Sequence, residues 1–401
     1  MVDPSINERE PRLQRLQLFA LAGLMFLGAA FVYSATTASQ PAALPWFDQL
    51  WLRQIVWYAL GIGAAAAVCL AEYHTIARWS FVIYWAMMVS LVAVLVPHVG
   101  SIHNGARRWI DFPVFQFQPS EFAKLAFILA MANFLSRPPD ELKRRDVFWK
   151  GIGLMMLPFV LILKEPDLGS ALVLLPTGVM MMFVAGTPKN YLLKLGAGVG
   201  IVGALCLADV LFAPRALQIP MQDYQRQRLL VYFGANFAYA NATPEQKAEA
   251  RRLQFEKSYQ VRQALISVGS GGLLGKGWCK GDQTALGFLP PGAAYNDFIF
   301  SVIAEEEGFA GSLVVLALYA VVLFTGLRIA GQARDRLGKL VAVGVVTLIF
   351  SHVFINIGMN IRIVPVTGIP LPLLSYGGSS VLCSLIALGL MQNVHIHRRG
   401  Y

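Results

Sequence analysis

Long apolar runs separated by short, often basic connections dominate the chain. Ten of them read as membrane spans, at approximately 16–37, 52–71, 77–97, 119–136, 148–164, 168–186, 190–212, 297–327, 340–360 and 371–393. The criterion is geometric: a helix rising about 1.5 Å per residue needs roughly 20 apolar residues to cross about 30 Å of hydrocarbon. The eighth run exceeds that length and predicts a helix that tilts or projects beyond the bilayer. The 119–136 run is the weakest, because Glu121 and Lys124 open it. The run from about Leu16 to Ala35 is longer than the 7–15 residues of a secretory signal core and reads as the first span. The expected fold is therefore all-α: one integral-membrane domain over 1–401, with a long loop at about 213–296 between spans seven and eight. Within that loop, "ATPEQKAEARRLQFEKSYQVRQALISVGSGG" predicts an amphipathic helix ending in glycines. No internal repeat, coiled coil or low-complexity tail is evident.

Composition agrees. The 401 residues are 56% hydrophobic and only 14% charged, against roughly 25% charged in a soluble domain. A net charge of +10 raises nucleic acid as a partner, but the basic residues gather where membrane orientation requires them. Arg9, Arg12 and Arg15 precede span one, and Arg137, Lys143, Arg144, Arg145 and Lys150 follow span four. Lys189, then Arg328, Arg334, Arg336 and Lys339, and finally Arg398 and Arg399 continue the alternation. The positive-inside rule then places both termini in the cytoplasm and the long loop outside. No nucleic-acid partner is expected. Cys69, Cys206, Cys279 and Cys383 show no CxxC spacing, so neither a disulfide framework nor a zinc site is expected.

The stretch "GSGGLLGKG" at 269–277 imitates a nucleotide-binding loop but fails its pattern. Ser270 stands where the first glycine belongs, Gly277 replaces the magnesium-binding Ser or Thr, and no strand precedes it. What remains is a glycine run, including Gly271 and Gly272, whose N–H groups can approach an anion, with Lys276 adding charge. The alternative is a flexible turn returning the chain to the membrane.

Ionisable groups are costly at membrane depth and so point to function. Arg107, Arg108, Lys164, Asp167, Lys276, Asp297 and Arg362 all fall at the outer ends of spans under this topology. Glu121 and Lys124 share a helix face and can pair. Asp167 follows Pro166 and can simply cap span six; Glu305, Glu306 and Glu307 can pair with helices inside the bundle. As a set, these groups suggest an outward-facing site for an anionic lipid or pyrophosphate, with a carboxylate beside it. Asp297 stands where the long loop re-enters the membrane, a position in which desolvation raises a carboxylate toward the range of a general base. His352, Asn356 and Asn360 recur every four residues and read as interhelical hydrogen-bonding groups.

Several pieces, in order over nearly the whole chain, resemble the SEDS family (shape, elongation, division and sporulation). They are "GARRWI" at 105–110, "QPSEFAK" at 118–124, "EPDLGSA" at 165–171 and "YQVRQALISVGSGGLLGKG" at 259–277. "NDFIFSVIAEEEGF" at 296–309 and "PVTGIPLPLLSYGGSS" at 365–380, which contains Ser375, complete the set. "TGIPLP" leans toward the elongation branch rather than division or sporulation. The resemblance implies a ten-helix peptidoglycan glycosyltransferase of the bacterial cytoplasmic membrane. Such an enzyme polymerises lipid II outside the membrane, with a class B penicillin-binding protein as partner. It places the essential aspartate on Asp297, which would deprotonate the acceptor sugar's 4-hydroxyl for attack on the donor's anomeric carbon, releasing undecaprenyl pyrophosphate. Arg107, Arg108, Glu121, Lys124, Asp167, Gly271, Gly272, Lys276, Arg362 and Ser375 are the candidate substrate contacts. A divalent cation, Mg2+ or Mn2+, could assist, though the sequence names no ligands for it. Three departures stand out: Tyr295–Asn296 in place of His-Thr, a longer "GFLPPGAAYND" without the usual acidic residues, and "EPDLG" for "QPDLG". Two other readings are a lipid II flippase, which needs a continuous polar path across the membrane, and a non-catalytic scaffold, which predicts that Asp297 is dispensable. A groove open to lipid is expected to lead to Asp297, because a polyprenyl-tailed substrate must enter sideways.

Overall fold

A computed structural model describes residues 13–37, 49–97, 99–103, 106–112, 116–212, 222–235, 237 and 243–398. Arg9, Arg12, Gly105, Arg399 and residues 213–221 of the long loop lie outside the described residues. Among those described, the chain forms α1 (Arg15–Thr37), α2 (Leu50–Leu70), α3 (Tyr73–Arg78) and α4 (Ser80–Leu95), then three short strands. These are β1 (Ser101–His103), β2 (Ala106–Asp111) and β3 (Gln116–Phe117). There follow α5 (Pro119–Leu135), α6 (Pro139–Leu142), α7 (Arg145–Lys164), α8 (Leu168–Ala185) and α9 (Lys189–Phe212). The long loop carries α10 (Asp223–Phe233), α11 (Pro244–Ser270), α12 (Asp282–Ala285) and α13 (Pro291–Ala294), and α14 (Ile299–Gln332), α15 (Arg336–Asn360) and α16 (Gly378–Ile396) close the chain.

The ten runs read from the sequence correspond to α1, α2, α4, α5, α7, α8, α9, α14, α15 and α16. Eight are long and apolar enough to cross a membrane by length and composition. The other two, α4 with 16 residues and α5 with 17, fall just short of that length. α5 is a central helix: almost all of it is buried, and Ala123, Ala126, Ala130 and Ala132 let neighbours pack closely. α15 is likewise enclosed, with 83% of its apolar window buried, while in α9 the figure is 6%. α9 therefore stands at the rim.

One end of the bundle gathers the loops that matter. β1, β2 and β3 form an antiparallel sheet in that order and place Arg107 and Arg108 beside the start of α5. α11 opens with a full capping box: the Thr243 hydroxyl accepts from Gln246 N–H while the Gln246 side chain accepts from Thr243 N–H. α14 is broken at Gly308, whose φ of 65° and ψ of −158° lie outside the helical region. A side chain there would meet the Gly275 nitrogen at 2.3 Å, so only glycine fits the break.

Candidate active site

Asp297 sits one turn before α14, half-buried. Its backbone is fastened from α15: the side-chain amides of Asn356 and Asn360 donate to the Asp297 carbonyl at 2.9 and 3.2 Å. Asn356 also donates to the Ile369 carbonyl at 2.7 Å, tying the 361–377 segment to the same point. The stripe of polar residues on α15 thus makes interhelical hydrogen bonds, as its four-residue spacing predicted, and aims them at the residue before the span. Ser375 completes the clamp, its hydroxyl donating to the Asn296 carbonyl at 2.6 Å and accepting from Leu371 N–H at 2.7 Å. The Tyr376 N–H donates to the Tyr295 carbonyl at 2.9 Å. Tyr295 and Asn296 are therefore held through their backbone carbonyls, which any residue supplies.

The carboxylate of Asp297 takes no part in this clamp. It forms no hydrogen bond among the described residues and faces Gly368, where an added Cβ would come within 3.3 Å of Oδ2 and 4.0 Å of Arg228 Nη2. Gly368, at φ +76°, so keeps the carboxylate and the guanidinium close to one another. Burial pushes the Asp297 carboxyl up to about 6, with Asp167 adding to the rise and Arg228 and Arg108 opposing it. Arg228, on α10, is anchored by donating to the Thr367 carbonyl at 2.9 Å. Its own pKa is lowered, first by burial and then by the nearby Arg108 charge. It lines a cleft of about 250 Å³ together with Tyr224, Tyr232, Gln260 and Arg362.

Arg108 reaches the same centre by donating to the Glu165 carbonyl at 3.1 Å and to the Pro166 carbonyl. Asp167 caps α8, accepting from Ser170 N–H at 3.1 Å and, at its other oxygen, from Gln118 at 3.3 Å and Ser120 at 3.4 Å. It is both a helix cap and a charge facing Asp297. Glu165 is fully buried and neither of its carboxylate oxygens has a hydrogen-bond partner among the described residues. Burial, reinforced by Asp167, lifts its carboxyl to about 9, so it is neutral at pH 7 and as uncharged as the commoner glutamine. Sequence reasoning missed Arg228 and Tyr224. Nothing local marks Arg228 among the neighbouring arginines, and its position is set by a carbonyl 139 residues away.

Other predicted contacts lie elsewhere. Lys276 does not face Asp297: it pairs with Glu305 at 2.6 Å and Asp282 at 3.0 Å. The glycine run is committed to the same acids. Lys276 and Gly277 N–H donate to the Glu305 and Glu306 carbonyls at 3.0 and 2.8 Å, and Phe309 N–H donates back to the Gly272 carbonyl at 2.9 Å. Gly271 presses on the Ala304 carbonyl, where a Cβ would clash. The acceptors these N–H groups meet are backbone carbonyls of the chain itself; only the Lys276 ammonium meets carboxylates, those of Glu305 and Asp282. Glu305 also accepts from Ser267 at 2.8 Å and Gln283 N–H at 3.2 Å, and Glu306 from Ser34 and from Cys279 N–H at 3.1 Å. Glu121 and Lys124 do pair, at 2.6 Å, but they are buried beside His352, 2.9 Å from the lysine, around a void of only about 10 Å³. Arg107 donates to the Leu95 carbonyl at 3.5 Å, and Arg362 to the Val231 and Tyr232 carbonyls at 3.4 and 3.2 Å. Two large apolar grooves, of about 730 and 760 Å³, are lined without Asp297, whereas the cleft of about 250 Å³ has Arg228 in its wall.

A family model described as cell cycle protein, covering FtsW, RodA and SpoVE, matches residues 14–400. The chain belongs to the FtsW/RodA/SpoVE family. Peptidoglycan glycosyltransferase MrdB of Escherichia coli (strain K12) is 35% identical over 349 residues, covering 86% of each chain. Stage V sporulation protein E of Bacillus subtilis (strain 168) is also 35% identical, over 94% of this chain and 95% of that one. Peptidoglycan glycosyltransferase RodA of Treponema pallidum (strain Nichols) is 31% identical over 95% and 96%. Among solved structures, a chain from a peptidoglycan synthase complex coordinating polymerization and crosslinking superposes with TM-score 0.75 at 28% identity, over 97% of this chain and 99% of that one. Rod shape determining protein RodA of Thermus thermophilus gives 0.66 at 28%, over 97% and 98%. This FtsW/RodA/SpoVE member is thus a multi-pass membrane protein with the family's fold. Among its described residues no group of three His, Cys, Asp or Glu side chains could hold a metal ion.

Proposed function

We propose that this chain is a peptidoglycan glycosyltransferase that polymerises lipid II at the outer face of the bacterial cytoplasmic membrane during elongation, with both termini in the cytoplasm. The observation that carries the reading is Asp297: a carboxylate free of hydrogen bonds, held through its backbone by two asparagines and raised to about 6 beside two arginines. A carboxylate of that pKa is ionised at neutral pH yet basic enough to accept a proton. It takes the proton of the acceptor sugar's 4-hydroxyl as that oxygen bonds to the donor's anomeric carbon. The anomeric carbon–oxygen bond to the pyrophosphate breaks, and undecaprenyl pyrophosphate leaves with the bonding pair. Arg228 and Arg362, both lining the cleft, and Arg108 supply cationic donors for the departing charge.

The relatives' names, peptidoglycan glycosyltransferase, support the same reaction. The likeness to a synthase complex supports a class B penicillin-binding protein as partner. A flippase would need a polar passage through the bundle. The Glu121–Lys124–His352 group is instead tightly packed, with a void far smaller than a sugar headgroup. The test is glycan polymerisation from lipid II by the purified chain with its penicillin-binding partner, the latter made dead for transpeptidation. Wild-type ladders and none from folded Asp297→Asn are expected. Ladders from both would remove Asp297 as the base, and none from either would favour transport or scaffolding.

A further inference from the structure

Away from the Asp297 end, α7, α8 and α9 enclose a groove of about 760 Å³. Its walls are apolar: Phe148, Trp149, Met156, Phe159, Leu175 and Val202 are among them. Only two charged side chains line it, Arg145 and Lys194, and both are cationic. Both are exposed, and neither pairs with a carboxylate among the described residues; the nearby Asp146 is engaged by Arg144 and Lys150 instead. α7 and α9 both begin at this end, so the positive ends of two helix dipoles add to the two side chains. Phe148 and Tyr191 pack beside them with tilted rings 5.2 Å apart, and Trp149 lies in the wall, as aromatic groups do at a membrane–water interface.

The groove's length is set by its lining. From Arg145 to Phe159 along α7 the helix rises about 21 Å, and from Tyr191 to Val202 along α9 about 16 Å. That is the depth of one leaflet, about half of a 30 Å hydrocarbon core, plus its headgroup edge. The glycines Gly196, Gly198 and Gly200 leave the α9 side open, and a side chain added at Gly198 would touch nothing.

From the pairing of two unneutralised cations with a leaflet-deep apolar groove, we infer that α7, α8 and α9 bind the acyl chains of an anionic glycerophospholipid, its phosphate between Arg145 and Lys194. The lipid comes from the leaflet on the side where α7 and α9 begin, opposite the Asp297 end. It fills the space that leaves α9 almost unpacked and holds that helix to the bundle. The specificity follows from charge: cationic clusters between membrane helices select anionic headgroups, and a zwitterionic headgroup of equal chain length offers less.

Native mass spectrometry of the full chain, released from micelles after addition of dioleoyl phosphatidylglycerol or dioleoyl phosphatidylcholine, tests this. Wild-type protein should retain one phosphatidylglycerol at least tenfold better than phosphatidylcholine. Arg145→Glu with Lys194→Glu should abolish the preference, and Gly198→Leu, which fills the groove without touching a charge, should reduce retention of both lipids. Arg334→Glu, a cation outside the groove, should leave the preference intact. All variants are compared as monodisperse species with wild-type thermal midpoints. Should the doubly reversed protein misfold, Gly198→Leu together with quenching of Trp149 by brominated phosphatidylglycerol, read against Trp149→Phe, decides the matter. Unchanged preference in the charge-reversed protein, unchanged retention in Gly198→Leu, or quenching equal in Trp149→Phe would overturn the assignment. So would protection of the groove only by a co-expressed membrane helix.

Discussion

Around Glu305 and Glu306 the charges are closed on one another, whereas around Asp297 they face each other across a gap. In the first region Lys276, Ser267, Ser34 and the N–H groups of Cys279 and Gln283 meet the two buried acids at hydrogen-bond distance, and Asp282 takes the other side of Lys276. In the second, Arg108, Asp167, Arg228 and Asp297 influence one another electrostatically, yet the Asp297 carboxylate has no hydrogen bond. The two lie at the same end of the protein and look alike in the sequence, as glycines and charges beside a span. A charge cluster that satisfies itself is a fastening. One that leaves a desolvated carboxylate unsatisfied, opposed by cations it does not touch, has room for a substrate.

The sharpest way to break this contrast is to neutralise one charge from each region. Asp297→Asn should lower polymerisation by about 10²–10⁴-fold, the span of general-base removal, with unchanged thermal stability. A loss of folding with no loss of specific activity would place Asp297 in the fastening class. Arg228→Met should cost about 10²-fold in turnover, as for removal of one donor to a developing anion. It should also shift the acid side of the pH profile. Asp297 must be ionised to act, so wild-type activity should fall as pH drops through about 6. Arg228 holds that value down, so its removal should move the fall to higher pH. A profile that stayed in place would show that the two groups do not sense each other.

Lys276→Met should instead leave the chemistry alone and weaken the protein. It strands the buried Glu305, costing on the order of 2 kcal/mol, below the usual buried-pair range because Lys276 is partly exposed. Thermal unfolding should show recovery when Glu305→Gln is added; a catalytic defect at full stability would return Lys276 to the substrate. The smallest effect on polymerisation is expected from Glu165→Gln, whose signature is in stability. The Glu165 carboxyl is raised to about 9 from an unfolded value near 4.5, so the folded state holds a proton the unfolded state releases. Stability should therefore fall as pH rises between those values and level off above about 9. The glutamine variant should be flatter in alkaline melts, and an identical slope would mean that Glu165 is not protonated in the fold.

Spans were legible because apolar length is a one-dimensional property of the chain; even α4 and α5 appear where the runs fall, although they are short. Asp297 was legible because it marks the point where polar loop becomes apolar helix. Arg228 was not, since the residue that turns inward on α10 is chosen by the Thr367 carbonyl on a distant segment. The glycine run misdirected attention for a related reason. Its N–H groups do meet acceptors, but a sequence does not say whether these belong to a ligand or are backbone carbonyls some thirty residues along the same chain.

The break at Gly308 has a mechanical meaning. From Phe309 to Gln332, α14 runs about 36 Å, enough to cross the bilayer by itself. The short piece before it, Ile299–Glu307, is then a separate bracket carrying Asp297 at its tip, bolted to the glycine loop by Glu305 and Glu306. The joint is braced on both sides: Phe309 and Ala310 N–H on the shaft donate to the Gly272 and Leu273 carbonyls, while the Glu305 and Glu306 carbonyls on the bracket accept from Lys276 and Gly277 N–H. Shaft and bracket are clamped to one glycine loop, which makes the break a stiff corner from which Asp297 is held out.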